Sequence, residues 1–167
     1  QTFRITKETW NDEKDKNNIT FVGPKVEDID PLLDDYVSFY NQNYKQIHPI
    51  IFSSILIIQM SIIHPFGDWN SRMSRLIASW SMRKMDYSQV PVISYVFSKN
   101  KDKHEKKLKE IRSKIVEKVD ISTSWNNQDR FIFKWNEKEL YYNIDYSNWI
   151  KYFIDSYIDW LDFVYDS

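Results

Sequence analysis

The stretch HPFGDWNSRMSR, His64 to Arg75, joins a strongly apolar run to a basic, amphipathic one, and its reading decides the fold. Within twelve residues it gathers a base (His64), a carboxylate (Asp68), an amide (Asn70) and two arginines, Arg72 and Arg75. Upstream, Ile50 to Ile63 reads as a buried central helix, and downstream Met73, Leu76, Ile77 and Trp80 recur at intervals of three and four residues. His64 to Asn70 is therefore predicted to be a short loop between two buried helices, with Ser71 capping the second. Arg72 and Arg75 then lie in its first turn and a half, where positive charge opposes the helix dipole. An anionic ligand accounts for that placement, because the free amides of a helix N-terminus and a guanidinium both suit phosphate oxygens. In that setting Asp68 is a candidate metal ligand and His64 a candidate general base. An ordinary His-Pro turn with surface arginines is the competing reading, and spacing alone does not separate the two.

The same stretch resembles the signature of Fic-domain proteins, HxFx(D/E)GNGRxxR, with matches at His64, Phe66, Asp68, Asn70, Arg72 and Arg75. The likeness continues upstream through ITFVGPKVEDIDPLLDDYVSFYN, similar to the family's flap strand and the helix after it, and through HPIIFSSILIIQMSIIHPF, similar to its central helix. It continues downstream through Arg75 to Leu108 and again at Asp145 to Asp159, with a gap at about residues 113 to 144. Both departures fall on the glycines, since Trp69 and Ser71 stand where the family has Gly on either side of its asparagine. Glycine there lets backbone amides approach a phosphate and takes up backbone angles that other residues resist. Serine is a mild change. An indole at position 69 must either swing out of the pocket or plug part of it.

The resemblance implies a mainly α Fic-fold helical bundle. Its expected parts are a flap hairpin over residues 1 to 24, core helices over 28 to 112, an insertion with a second small hairpin over 113 to 144, and a C-terminal helix over 145 to 167. It also implies a protein adenylyltransferase that moves AMP from ATP to a side-chain hydroxyl with Mg2+. In that scheme His64 is the catalytic base, Asp68 positions magnesium, and Asn70, Ser71, Arg72 and Arg75 hold phosphates. Phe66 anchors the loop in the core. The target protein is expected to dock on the flap as an added strand. Two other readings stay open: a degenerate domain that binds a nucleotide or a partner without transfer, and a transferase using a different phosphate-containing donor. The inhibitory pattern of many relatives, (S/T)xxxE(G/N), has no match, because Ser113 to Glu117 keeps the spacing but Lys118 follows. Any inhibitory segment is therefore expected upstream of Gln1 or in another chain.

Composition narrows the field without deciding it. A chain of 167 residues, 42% hydrophobic and 17% aromatic, is long enough for one domain with a sizeable core and is not disordered in character. Its net charge of −1 provides no global field for nucleic acid or an acidic membrane. With no cysteine there is no disulfide, redox thiol or thiolate-bound zinc, which fits a cytoplasmic protein. The run Ile50 to Ile63 is too short to span a bilayer.

Along the rest of the chain, Phe3 to Thr6 and Ile19 to Val22 are β-prone runs around a polar loop, Asn11 to Asn18. Asp30 and Pro31 suit the start of a helix ending near Asn43, with Leu32, Leu33, Tyr36, Val37 and Tyr40 on its apolar face. His48 is read as structural, opening the central helix. Val90 to Phe97 is a short helix, and Lys99 to Lys118 a charged one with Leu108, Ile111, Ile115 and Val119 as its stripe. Its basic face is read as solvated, and His104 as an ordinary residue. Phe131 to Trp135 and Leu140 to Ile144 suggest a hairpin. Asp145 or Ser147 caps a last helix whose apolar face runs from Trp149 to Leu161.

Overall fold

The computed structural model describes residues 9–11, 19–24, 26–87, 93–118 and 145–166. Among these the chain is mainly α, with six α-helices: α1 (Ile29–Asn43), α2 (Pro49–Ile63), α3 (Asn70–Lys84), α4 (Ile93–Lys99), α5 (Lys101–Lys118) and α6 (Ser147–Tyr165). Two short strands, β1 (Thr9–Asn11) and β2 (Ile19–Val22), pair antiparallel, with Trp10 opposite Phe21. The predicted strand Phe3 to Thr6 and the residues between β1 and β2 fall outside the described residues. So do Val119, the predicted hairpin of residues 131 to 144 and Trp125.

α2 is the axis of the assembly because it is apolar on every side, the composition of a helix meant to be enclosed. Ile57, Ile58 and Ile62 join a core with α3, α4, α5 and α6, while Phe52, Leu56, Met60 and Ile63 join a second core with α1. Two of its buried serines satisfy themselves locally: the Ser54 and Ser61 hydroxyls donate to the carbonyls of Ile51 and Ile57 at 2.7 and 2.8 Å. His48 caps the helix ahead of Pro49, its Nδ1 accepting from the Ile50 N–H at 3.4 Å. On the far side, Trp149 of α6 is wholly buried and its indole N–H donates to the Ser54 carbonyl at 2.8 Å. No helix among the described residues is long and apolar enough to cross a membrane.

Helix α3 turns a different face inward from the one its periodicity suggests. Leu76 and Trp80 are 64% and 52% exposed, whereas Asn70, Ser74, Ala78, Ser81 and Met82 are buried. The bulk at this interface already comes from α2, so α3 meets it with small side chains that let the two backbones approach. The Ser53 hydroxyl reaches across to donate to the Ala78 carbonyl at 3.3 Å. Trp80 stacks instead on Tyr40, with ring centroids 5.7 Å apart.

Smaller corrections have similar causes. α1 follows directly from a 3-10 turn (Val26–Asp28), so its cap is Asp28 and not Asp30, and Pro31 lies in the first turn, where its missing N–H is harmless. Val37 is exposed in α1, as is Ile158 in α6, where Tyr152 takes the core position. Asp145 does serve the start of α6, accepting from the Ser147 N–H at 2.9 Å, and Ser147 is the first helical residue. Asp86, with φ 54, ends the turn after α3 in the left-handed conformation usually given to glycine.

Candidate active site

The loop between α2 and α3 is built by its own polar groups. His64 ends α2 at φ 47 and ψ 55, a left-handed cap that histidine adopts more readily than most residues, and its N–H donates to the Met60 carbonyl at 3.0 Å. Pro65 then prevents the helix from resuming. Asn70 closes the loop from the other end: its amide accepts from the Phe66 N–H at 3.0 Å and donates to the Phe66 carbonyl at 2.6 Å. Asp68 Oδ1 accepts from the Trp69 N–H at 2.6 Å. Phe66 is half-buried, and His64 and Asn70 are buried.

Removing the Asn70 amide strips both partners from the Phe66 peptide in a partly enclosed turn. Asn70→Ala is expected to destabilise the protein by about 1–3 kcal/mol. Urea unfolding reads this as a lower midpoint at unchanged slope.

At the head of α3 the structure corrects two readings of position and orientation. Ser71 is the second residue of the helix, exposed, and not its cap; the residue before the helix is Trp69, at φ 76. That is the backbone region in which glycine carries no penalty, which accounts physically for the family's glycine at this point. The indole does not plug the cavity. It is 55% exposed, and the Arg72 guanidinium sits over it, Cζ 3.9 Å from the ring centroid. Arg75 turns toward α4, where its Nε donates to the Ser94 hydroxyl at 3.0 Å. Burial first, and then the charge of Arg72, lower its pKa from the ordinary arginine value.

Because the indole lies outside the pocket, Trp69→Gly leaves the space above α3 unchanged. It relieves a positive φ of the kind that costs about 1–3 kcal/mol at non-glycine residues and gives up an exposed cation–π contact of about 0.5–1 kcal/mol. The expected outcome is equal or slightly greater stability by urea unfolding, with any gain in nucleotide affinity coming from the released Arg72 and not from new space.

His64, Asn70, Ser71 and Arg75 line one cavity of about 510 Å3. Its remaining walls come from α4 and α5 and include Ser94, Ser98, Lys101, His104, Lys109 and Arg112. Asp68, Trp69 and Arg72 are not among its lining residues. His104 stacks on Phe97 with ring centroids 4.1 Å apart, and its pKa is lowered to about 4 by burial, then by the charges of Arg75 and Arg112. Burial brings Arg112 down to about 10. The reading of 99 to 118 as a solvated basic face holds for the exposed Lys101 and Lys109 and misses His104 and Arg112, which are half-buried on this wall. The sequence signal was there but ambiguous: Lys101, Leu108 and Arg112 share one side of α5, and only Leu108 looks inward by composition.

No group of three or more acidic or histidine residues capable of holding a metal ion occurs among the described residues. Asp68 is an exposed single carboxylate beside the cavity's helix, and only its Oδ1 is engaged by the Trp69 N–H. That donor set fits magnesium, which commonly takes one carboxylate and completes its shell from phosphates and water, and does not fit an all-protein cage.

A buried histidine at the end of one helix, an asparagine-closed loop and an arginine in the second turn of the next helix thus meet on one cavity of a helical domain. Residues 2–82 match the model of the Fic/DOC family, and the chain carries a Fic/DOC family domain over that span. No solved structure matches the chain. The matched span ends within α3, so the α4 and α5 walls of the cavity lie outside it.

Proposed function

We propose that this protein is a Fic-type nucleotidyltransferase that moves AMP from ATP to a hydroxyl of a protein side chain. The observation that carries the reading is the placement of His64 and Arg75 on one cavity at the N-terminus of α3. His64 accepts the proton of the incoming hydroxyl. The hydroxyl oxygen forms its bond to the α-phosphorus while the bond to the bridging oxygen breaks and pyrophosphate leaves. The first amides of α3 and the Arg75 guanidinium bind the negatively charged oxygens as charge redistributes, which is the main form of catalysis for such transfers. Asp68 would hold magnesium, which when bound supplies charge neutralisation at the phosphates. The target backbone docks by strand addition along the β1–β2 pair.

Incubation with ATP labelled at the α-phosphate, magnesium and a cell extract tests the reading. Magnesium-dependent label on protein is the expected result, and its absence at every protein concentration opposes it. A second reading is favoured by Arg72, which rests on Trp69 outside the cavity. With that arginine drawn away, the phosphate cradle differs from the family's pattern, and a different phosphate-containing donor is the consequence. A panel of labelled donors separates the two, since only the second predicts label from a non-ATP donor in preference to ATP.

A further inference from the structure

The cavity concentrates charge that the chain as a whole lacks. Among the described residues its lining holds Arg75, Lys101, Lys109 and Arg112 against one carboxylate, Glu105, a formal +4 − 1 = +3, in a protein whose net charge is −1. Only Arg75 of these belongs to the motif. The other three cations come from α5, and α4 adds the hydroxyls of Ser94 and Ser98. We propose that α5 gives the cavity a second anion subsite, made by Lys101, Lys109 and Arg112, that holds the terminal phosphates of a nucleoside triphosphate and so selects triphosphate over monophosphate.

Three features support it. Arg112 stands on the cavity wall on the same side of α5 as Lys101, half-buried, with its pKa lowered to about 10 by burial. His104, between Arg75 and Arg112 in its electrostatics, is neutral at pH 7 and adds no like charge to the subsite. Lys101 is largely exposed, with only a 3.7 Å contact to Glu105, so its ammonium is available to a ligand without breaking a buried pair. Arg75 joins the two subsites, because its bond to Ser94 points it toward α4 and away from the Trp69 face.

The inference rests on the phosphate-binding reading of the motif but not on transfer chemistry. The test is calorimetry of the full chain with inorganic tripolyphosphate and with inorganic phosphate. Tripolyphosphate is expected to bind at least about tenfold more tightly. The double variant Lys101→Gln and Lys109→Gln changes two exposed residues and should fold as the parent does, which circular dichroism checks. It is expected to lose most of that preference while phosphate affinity stays unchanged, and Arg112→Gln to lose more. Equal affinity for the two anions, or a preference that survives the double variant, overturns the proposal. Tripolyphosphate binding that depends on α5 in a protein that transfers no label would sink the transferase reading and leave this subsite standing.

Discussion

His64→Ala is expected to reduce group transfer by about 10²–10⁴-fold while nucleotide affinity stays within about twofold. The base acts on the acceptor hydroxyl, so its loss is felt in the transition state and not in binding of the donor. Structure adds a condition to this. His64 is at φ 47, and alanine resists that region more than histidine does, so some local strain is expected in the variant. His64→Asn, which tolerates the left-handed region, removes the base without that strain. Single-turnover label transfer and equilibrium binding, measured on both variants, separate the two effects. If both transfer at the parent rate, His64 has no part in the chemistry.

Trp149→Ala is expected to produce the largest loss of stability, about 3–5 kcal/mol. The side chain is wholly enclosed, packs near Phe97, His104 and Tyr152, and fastens α6 to the Ser54 carbonyl of α2. Truncation opens a cavity and removes that bond, so α6 loses its main tie to the central helix. For a chain of this length the melting temperature should fall by roughly 6–20 °C at about 2–4 °C per kcal/mol. Trp149→Phe keeps most of the ring and loses the N–H, so a smaller drop is expected. A melting point unchanged in the alanine variant would show that α6 is not fastened through this residue.

The contrast between α2 and α3 shows what the sequence makes legible. α2 could be read almost to the residue because no side of it is polar enough for solvent, and His48 with Pro49 marked its start. α3 was found as a helix but turned the wrong way, because periodicity locates large apolar residues and cannot tell that the neighbouring helix already supplies the bulk. Small residues such as Ser74 and Ala78 carry no hydrophobic signal, yet they are what closes the interface. The convergence of the loop's polar residues was legible, since His64, Asn70 and Arg75 meet on one cavity. Its finer geometry was not. Whether the Trp69 indole faces in or out depends on Arg72 and on a φ of 76, neither of which residue spacing encodes. The α5 wall escaped for a different reason: Lys and Arg on a helix are solvated so often that a cavity-lining face looks the same until the fold brings it to α3 and α4.

The central claim is that the cavity at the head of α3 holds the phosphates of a nucleotide beside His64. A crystal soaked with ATP and magnesium tests it most directly. Phosphate density is expected against the first amides of α3 and Arg75, with the terminal phosphates toward Arg112 and the Trp69 indole outside the cavity. Nucleotide bound elsewhere, or an indole folded into the cavity with no phosphate beside His64, would contradict it.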